Sequence, residues 1–405
     1  MTHYVASHPG RIVLELRALT LVGILISIVT GTTLGVVAFT YVSQHQPSAA
    51  DQTITEAFHQ VQHNYVEDLS EQELMDLAIS GMMNALDPHS GYLNKRDYRD
   101  LEANTTGKFG GIGIELGLVD GRFTVVTPID STPAAKAGIR AGDRIIEVDG
   151  ISLKGKRMPQ VVRMLRGEIG SEVEMLIQRA NVEESIPLSI ERAQVRFSSI
   201  RSRMLEPGIA YIRISQFQTT TSKDLSAALE KLSLSEPLTG LVLDVRNNPG
   251  GPLLASVEVA DLFLNSGLIV STKGRLKSTQ AKYNASKGDE LDGAPIALLI
   301  NSGSASASEV LAGALQDHNR AELIGSQSFG KGSVQSVVPL NSDQALKITT
   351  AYYYTPNGRS IHNSGIEPDQ VMDSDEESLV DYALNHLKSM HLQAKLEPQS
   401  SRQNK

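Results

Sequence analysis

The stretch that decides the fold is residues 296–316, IALLINSGSASASEVLAGALQ. Its first five residues are apolar and predict a strand, and the run from Ser306 to Gln316 predicts a helix. The turn between them consists mostly of serine, glycine and alanine, which are too small to block access to a side chain on the turn. Functional sites of an α/β layer lie beyond the carboxyl ends of its strands. The turn is therefore a candidate site.

The neighbouring sequence continues this alternation and predicts an α/β (α+β) core. Further strands are expected at 209–214, 241–245 and 322–324, and further helices at 222–234 and 253–264. The strand at 241–245 runs into a second turn, residues 246–251, RNNPGG. Its glycines can offer backbone N–H groups to an anion, as an enzyme that stabilises an oxyanion needs.

A third segment, residues 329–335, FGKGSVQ, places one lysine between two glycines. Close backbone approach at those glycines can bury Lys331, and burial lowers the pKa of a lysine so that it acts as a neutral base. A serine and such a lysine are enough to build a hydrolase without histidine. Gln335 lies four residues further on the same face, where it can hold the lysine amine by a hydrogen bond.

Several other interpretations of these residues remain open from the sequence. The serines that compete for the role of nucleophile are Ser302, Ser304, Ser306, Ser308 and Ser333. Ser306 with Glu309 also matches a helix capping box, which is a purely structural motif. A phosphate-binding loop at 325–331 is rejected, because Gly332 stands where that loop needs serine or threonine and a strand pattern follows.

Length and composition set the broad class. A chain of 405 residues is long enough for two or three domains, and 40% hydrophobic with 20% charged residues is ordinary for a folded protein. The net charge of −9 argues against a nucleic-acid partner. There is no cysteine, which excludes a thiol nucleophile, disulfides and cysteine-ligated metal sites.

The N-terminus predicts a location outside the cytoplasm. Residues 18–41 carry no charge and are long enough to span a membrane, and Arg11 and Arg17 precede them. The positive-inside rule then places residues 1–17 in the cytoplasm and the rest in the periplasm or another extracytoplasmic space. The alternative is a cleaved signal peptide, since Ser48-Ala49-Ala50 resembles a cleavage site.

The remaining chain divides into a linker at 42–51, a helical segment at 52–101, a glycine-rich domain at 102–185, the core at 186–372, and a C-terminal helix with a disordered tail at 373–405. The glycine-rich domain resembles a PDZ domain, because Gly110-Gly111-Ile112-Gly113 stands where that family has its carboxylate-binding loop. The resemblance implies a groove for the apolar C-terminal tail of a protein, added as an extra strand. The residues expected to bind the peptide are Gly110, Gly111, Ile112, Gly113, Ile114, Val161, Val162 and Leu165.

The serine and lysine segments together resemble the carboxy-terminal processing peptidases, also called tail-specific proteases. The similarity covers roughly residues 57–369 and includes residues 86–90, LDPHS, and 354–361, YTPNGRSI. The resemblance implies a crotonase/ClpP-like α/β protease core with an inserted PDZ domain. It also implies the site residues, with Ser306 as nucleophile, Lys331 as general base and Gln335 as its orienting partner.

That resemblance further implies an oxyanion hole made by the amide of Ala307 and a glycine amide of the second turn, Gly250 in preference to Gly251. Pro252 is a departure, because leucine is commoner after the glycine pair. The expected activity is that of a serine endopeptidase that needs no metal or organic cofactor. Its partners are protein or peptide substrates with unstructured apolar C-termini, a possible adaptor protein, and a membrane through the N-terminal segment.

Two rival functions follow from the same features. The first is a non-catalytic, membrane-tethered PDZ scaffold with a degenerate protease core. The second is a crotonase-like acyl-CoA enzyme, whose fold also places glycine amides around an oxyanion. The intact serine, lysine and glutamine argue against the first, and the PDZ-like insert argues against the second.

Overall fold

The computed structural model describes residues 48–129, 131–286, 288–372 and 374–396. No helix within these ranges is both long and apolar enough to cross a membrane. The predicted anchor at 18–41, the N-terminal residues 1–17 and most of the linker lie outside the described residues, as does the tail from residue 397. The chain divides into two compact units, Met1–Ala78 and Ile79–Lys405.

The core strands and helices expected from the sequence are present, together with strands that were not predicted. The helices are α1 (Ala49–Asn64), α2 (Glu71–Asn84), α3 (Lys95–Thr106), α4 (Pro133–Lys136), α5 (Met158–Leu165), α6 (Thr221–Ser233), α7 (Leu253–Asp261), α8 (Ala307–Asp317) and α9 (Glu376–Leu396). The strands are β1 (Gly91–Leu93), β2 (Lys108–Gly111), β3 (Ile114–Val119), β4 (Arg122–Pro128), β5 (Arg144–Val148), β6 (Ile151–Ser152), β7 (Glu172–Gln178), β8 (Ile186–Glu191), β9 (Ala193–Arg196), β10 (Ile200–Glu206), β11 (Ile209–Ile214), β12 (Gly240–Asp244), β13 (Leu268–Gly274), β14 (Ala281–Asn284), β15 (Ile296–Ile300), β16 (Ala321–Gly325), β17 (Ser333–Pro339), β18 (Ala345–Tyr354) and β19 (Gln370–Val371).

The main sheet of the core has the order β10-β11-β12-β15-β16-β19 and is parallel from β11 to β19. Every residue of β12 and β15 is buried, because helices cover both faces. Leu241 and Leu243 point toward a cluster that includes residues of α6, α7 and α8, whereas Val242 points toward α9. This two-sided packing confirms the predicted α/β class.

A second sheet of the core brings distant parts of the chain together. Its order is β1-β18-β13-β14, and β17 pairs with β18 as a long antiparallel hairpin. Strand β1 belongs to this sheet and pairs with Ala345–Lys347 of β18, although the sequence placed it in the helical segment 52–101. A strand of three residues is too short to show a period of two, so its pairing is decided by tertiary contacts.

The glycine-rich domain has its own sheet and its own core. The sheet order is β3-β4-β5-β7-β8, with β6 paired to β5. Strand β8 pairs with β7 along its whole length, so this sheet extends to Glu191, beyond the predicted boundary at residue 185. Strands β2 and β9 form a separate two-stranded ladder where the chain enters and leaves the domain.

Candidate active site

The turn between β15 and α8 holds Ser306 in an unusual conformation. Ser306 has φ 56° and ψ −112°, a region that non-glycine residues rarely occupy, and it directly precedes the first turn of α8. Such a backbone costs about 1–3 kcal/mol and persists only where surrounding contacts enforce it, typically at functional sites. The residue is 9% exposed, so it is largely covered by its neighbours.

The structure separates Ser306 from its competitors. The hydroxyl of Ser304 donates to the Val245 carbonyl oxygen at 2.8 Å, and that of Ser308 donates to the Asn248 carbonyl oxygen at 2.9 Å. Both hydroxyls therefore fasten the serine turn to the segment that follows β12. Ser333 is buried and accepts a hydrogen bond from Gln335, whereas Ser302 is exposed. Among these five serines, Ser306 is the one whose hydroxyl forms a hydrogen bond with an ionisable side chain.

That group is the hydroxyl of Tyr353 on β18. Burial raises the pKa of Tyr353 to about 12, although a hydrogen bond with the Ser306 side chain acts in the opposite direction. The backbone N–H of Tyr353 donates to the Gly332 carbonyl oxygen at 2.8 Å. Tyr353 thus joins the serine turn to the lysine segment, and the sequence analysis did not identify it.

Lys331 lies on the segment that connects β16 to β17, and both flanking glycines are needed there. A β-carbon at Gly332 would lie 2.2 Å from the His362 backbone nitrogen. Gly330 has φ 91°, and its carbonyl oxygen accepts from Asn363 N–H at 2.9 Å. The glycines therefore let a neighbouring loop approach the backbone on either side of Lys331, which half-buries the lysine.

Glu309 holds the serine turn and the lysine segment together. Its side chain is fully buried and accepts four hydrogen bonds. The donors are Ser306 N–H at 2.7 Å, Ser328 Oγ at 2.6 Å, Gly330 N–H at 2.6 Å and Lys331 N–H at 2.9 Å. The sequence showed only the local half of this arrangement, the serine-to-glutamate spacing of a capping box, because the other three donors come from a segment about 20 residues away.

The electrostatic environment of Lys331 favours the neutral amine. Burial lowers the pKa of Lys331, the nearby ammonium of Lys347 lowers it further, and Glu309 partly opposes both. Within the described residues, Lys331 Nζ makes no hydrogen bond or ion pair. An uncharged amine with a free lone pair is the form that can accept a proton.

Gln335 has both of its amide hydrogens engaged in hydrogen bonds. Its Nε2 donates to Ser333 Oγ at 2.9 Å and to Thr349 Oγ1 at 3.2 Å. Among the described residues, its Oε1 accepts no hydrogen bond. The side chain therefore offers a carbonyl oxygen and no donor to any further partner.

The glycine turn after β12 lies against the serine turn. A β-carbon at Gly250 would come within 2.8 Å of the Ala305 carbonyl oxygen. Gly250 N–H donates to Asn248 Oδ1 at 2.9 Å, so this amide is already used. Within the described residues, the N–H groups of Gly251 and Ala307 have no acceptor. Both N–H groups are therefore free to donate to a further acceptor.

Asn248 fixes the position of one turn against the other. Its carbonyl oxygen accepts from Ala305 N–H at 3.0 Å and from the Ser308 hydroxyl, and its Nδ2 donates to the Ile214 carbonyl oxygen at 2.9 Å. A second link joins Asn247 and Asn301, whose side chains and backbone exchange two hydrogen bonds. The paired asparagines in the sequence were a signal for this contact that sequence reasoning did not use.

The residues expected to bind a peptide lie together around α5 and the start of β3. Ile112, Val161 and Leu165 are buried in the core of the domain, whereas Ile114 and Val162 are half-buried and keep accessible surface. Gly110 and Gly111 belong to β2 and pair with β9, and Gly113 has φ 82°. Within the described residues β3 pairs only with β4, so its other edge is open to an added strand.

Comparison with known proteins gives consistent matches. The model of peptidase family S41 matches residues 208–372, that of a PDZ domain matches residues 124–179, and that of the activating protease CtpB N-terminal domain matches residues 38–97. A solved structure of a candidate S41 protease from Bacteroides fragilis covers 76% of this chain and 88% of that chain, with a TM-score of 0.50 at 16% identity. That likeness concerns the fold alone.

Two relatives match most of the sequence. The carboxy-terminal-processing protease of Bartonella bacilliformis is 45% identical over 319 residues, which are 78% of this chain and 73% of that protein. The carboxy-terminal processing protease CtpB of Bacillus subtilis is 35% identical over 319 residues, 78% of this chain and 66% of that protein. The chain therefore belongs to the carboxy-terminal processing proteases of peptidase family S41, and it is a serine-type peptidase with a PDZ domain.

Proposed function

We propose that this chain is an endopeptidase of the Ser-Lys type, in which Ser306 is the nucleophile, Lys331 the general base and Gln335 the residue that orients the lysine amine. The observation that carries the proposal is the buried Glu309 side chain, which accepts from the backbone amides of both Ser306 and Lys331. One rigid group thus fixes the position of nucleophile and base relative to each other, which is what proximity catalysis needs.

The reaction follows from the groups around Ser306. The hydroxyl leaves its hydrogen bond with Tyr353, the neutral amine of Lys331 takes its proton, and Oγ attacks the scissile carbonyl carbon. The oxyanion accepts from Ala307 N–H and from Gly251 N–H, since Gly250 N–H is already donated to Asn248. Each such donor is typically worth about 3–4 kcal/mol in the transition state. Lys331 then protonates the leaving amine, and water hydrolyses the acyl-enzyme.

The PDZ domain selects the substrate in this proposal. A protein with an unstructured apolar C-terminus adds its tail as a strand to the open edge of β3, with Ile114 and Val162 in contact with its side chains. The glycine-rich entry at Gly110–Gly113 receives the terminal carboxylate. An acidic tail binds poorly, because carboxylates would be desolvated against apolar side chains without a partner.

The compartment of action is proposed to be extracytoplasmic. The support is the uncharged stretch 18–41 behind two arginines, together with the absence of cysteine. Fusion of alkaline phosphatase after residue 50 tests the location, because that enzyme is active only outside the cytoplasm. Inactive fusions would contradict it.

The test of the mechanism compares full-length chains on an unstructured reporter protein that ends in three apolar residues. We expect cleavage by the wild type and none by Ser306→Ala, Lys331→Ala or Gln335→Ala. Ser302→Ala and Lys388→Ala serve as controls, since Ser302 is exposed on the same turn and Lys388 of α9 pairs with Glu206 of β10. Cleavage that survives Lys331→Ala would refute the proposed base.

Two further readouts separate the rival functions. A fluorophosphonate probe should label the wild type and fail to label Ser306→Ala, whereas a scaffold with a degenerate site would not be labelled at all. A reporter that ends in Asp-Asp should be cleaved more slowly than the apolar one. Equal rates for both reporters would refute tail recognition and leave the catalytic proposal standing.

A further inference from the structure

The turn Asp87-Pro88-His89-Ser90, which precedes β1, has no role in the mechanism above, yet the fold brings it to the active site. Asp87 Oδ1 accepts from the N–H groups of His89 and Ser90, each at 2.8 Å, and its Oδ2 accepts from Ser90 Oγ at 2.7 Å. Burial raises the pKa of Asp87, but these hydrogen bonds outweigh burial and bring it to about 2. Asp87 is therefore a carboxylate at neutral pH.

Two hydrogen bonds connect this turn to β18. Thr349 Oγ1 donates to Asp87 Oδ1 at 3.1 Å, and Thr349 N–H donates to Ser90 Oγ at 3.1 Å. Thr349 faces Gln335 in the β17–β18 ladder and accepts from its Nε2 at 3.2 Å. A continuous chain of hydrogen bonds thus runs from Asp87 through Thr349 to Gln335.

The chemistry of these groups fixes the direction of every bond in the chain. A carboxylate only accepts hydrogen bonds, so the single hydroxyl hydrogen of Thr349 must point to Asp87. The oxygen of Thr349 can then only accept from Gln335, which must present its NH2 group there. Ser333 Oγ takes the second hydrogen of that NH2 group at 2.9 Å. The carbonyl oxygen of Gln335 is therefore left as the end of the amide that is free.

We infer that Asp87 is a positioning residue that acts through Thr349 to hold Gln335 with its side-chain carbonyl oxygen, rather than its NH2 group, available to Lys331. The inference rests on the proposed roles of Lys331 and Gln335. A carbonyl oxygen accepts a hydrogen from the lysine amine and leaves the nitrogen lone pair free for Ser306. An NH2 group would instead donate to that lone pair and block the base.

The groups around Lys331 are consistent with this placement. Lys331 is near Glu309 of α8 and Lys347 of β18. On the side of the Asp87 turn lies His89, whose pKa is lowered chiefly by burial. His362 belongs to the loop that packs on Gly332.

The experiment measures kcat and KM against pH for the full-length wild type, Asp87→Asn, Thr349→Val and Thr349→Ser on the apolar-tailed reporter. Asp87→Asn lets the hydroxyl of Thr349 and the amide of Gln335 turn over, and Thr349→Val removes the acceptor for Gln335. We expect both to lower kcat about 10- to 100-fold, a part of what a positioned general base contributes. KM should stay within about 2-fold, because the PDZ groove is untouched.

The pH profile supplies a readout that a merely structural role would not move. An NH2 group facing the lysine disfavours the ammonium form, so the rising limb of kcat should shift to lower pH in Asp87→Asn and Thr349→Val. Thr349→Ser keeps the hydroxyl group, so its kcat and the pH of its rising limb should match those of the wild type. Asp369→Asn is the matched control, because Asp369, like Asp87, accepts from both backbone and side-chain donors, here Leu323 N–H and Gln316 Nε2, each at 2.8 Å, in another part of the core.

The outcomes distinguish this inference from the proposed function. The inference would be overturned if Thr349→Val had the kcat of the wild type and a rising limb at the same pH. It would also be overturned if Thr349→Val and Thr349→Ser lost kcat to the same extent. If Asp87→Asn fails to fold, Thr349→Val alone decides. Loss of activity in Lys331→Ala and Gln335→Ala, with Asp87→Asn fully active, would overturn the inference while the proposed function stands. Activity in Lys331→Ala would overturn both.

Discussion

Glu309→Gln is the substitution that tests whether one carboxylate holds the active site together. It keeps the size of the side chain and replaces one acceptor oxygen by an NH2 donor. In one orientation the NH2 group faces the N–H groups of Ser306 and Lys331, and in the other it faces Gly330 N–H and Ser328 Oγ. Either way two buried donors lose their acceptor.

The expected loss of stability follows from the number of buried donors left without an acceptor. A buried donor without an acceptor costs about 1–3 kcal/mol, so the substitution should lower the free energy of unfolding by about 2–5 kcal/mol. This is a large share of the roughly 5–15 kcal/mol of a typical domain. In the molecules that remain folded, both turns lose their common anchor, and a displacement of the nucleophile relative to the base should lower kcat about 100-fold.

The assay combines urea unfolding followed by circular dichroism with cleavage of the apolar-tailed reporter across pH. Glu309 raises the pKa of Lys331, so its neutralisation should lower that pKa further and move the rising limb of kcat to lower pH. Glu258→Gln is the control, since Glu258 is exposed and, among the described residues, its side chain accepts only from Ser222 Oγ. The reasoning would be refuted if the free energy of unfolding fell by less than about 1 kcal/mol, or if the rising limb of kcat moved to higher pH.

Three more predictions concern single contacts. Gly332→Ala should abolish cleavage and lower the melting temperature, because its β-carbon would lie 2.2 Å from the His362 nitrogen; an active variant would contradict the close approach. Tyr353→Phe removes the hydroxyl that competes for Ser306, so kcat should stay equal or rise up to about 5-fold, and a 100-fold fall would contradict this. The pKa of Asp87 is depressed from 3.8 to about 2, so its stabilising contribution is present above pH 3.8 and lost as the pH falls through about 2. Partial exposure limits it to about 1–2 kcal/mol, which urea unfolding from pH 5 to pH 2 should detect in the wild type but not in the Asn variant.

Much of the architecture was predictable because it depends on local sequence patterns. The continuous apolar runs of β12 and β15, each followed by a turn and a helix, predicted an α/β core, and the structure confirms it. Strand β1 was not predicted, since three residues carry no period, and its place was decided by pairing with β18. The PDZ sheet likewise extends through β8, whose pairing with β7 is a contact between segments that the sequence assigned to different domains.

The sequence by itself determined which residue types form the site. A turn of small residues leaves a serine accessible, glycines on both sides of a lysine allow it to be buried, and a glycine turn offers backbone amides. From the residues alone five serines remained candidates, and the resemblance to the peptidase family selected Ser306 and favoured Gly250 over Gly251. Only the tertiary structure gave the contacts of these groups: Ser304 and Ser308 donate to the carbonyl groups of Val245 and Asn248, and Gly250 N–H donates to Asn248 Oδ1. The hydrogen bonds of Glu309, Tyr353 and Asp87 were also visible only there. Their partners lie about 20 to more than 250 residues away, and a hydrogen bond between such segments exists only once the sheets have formed.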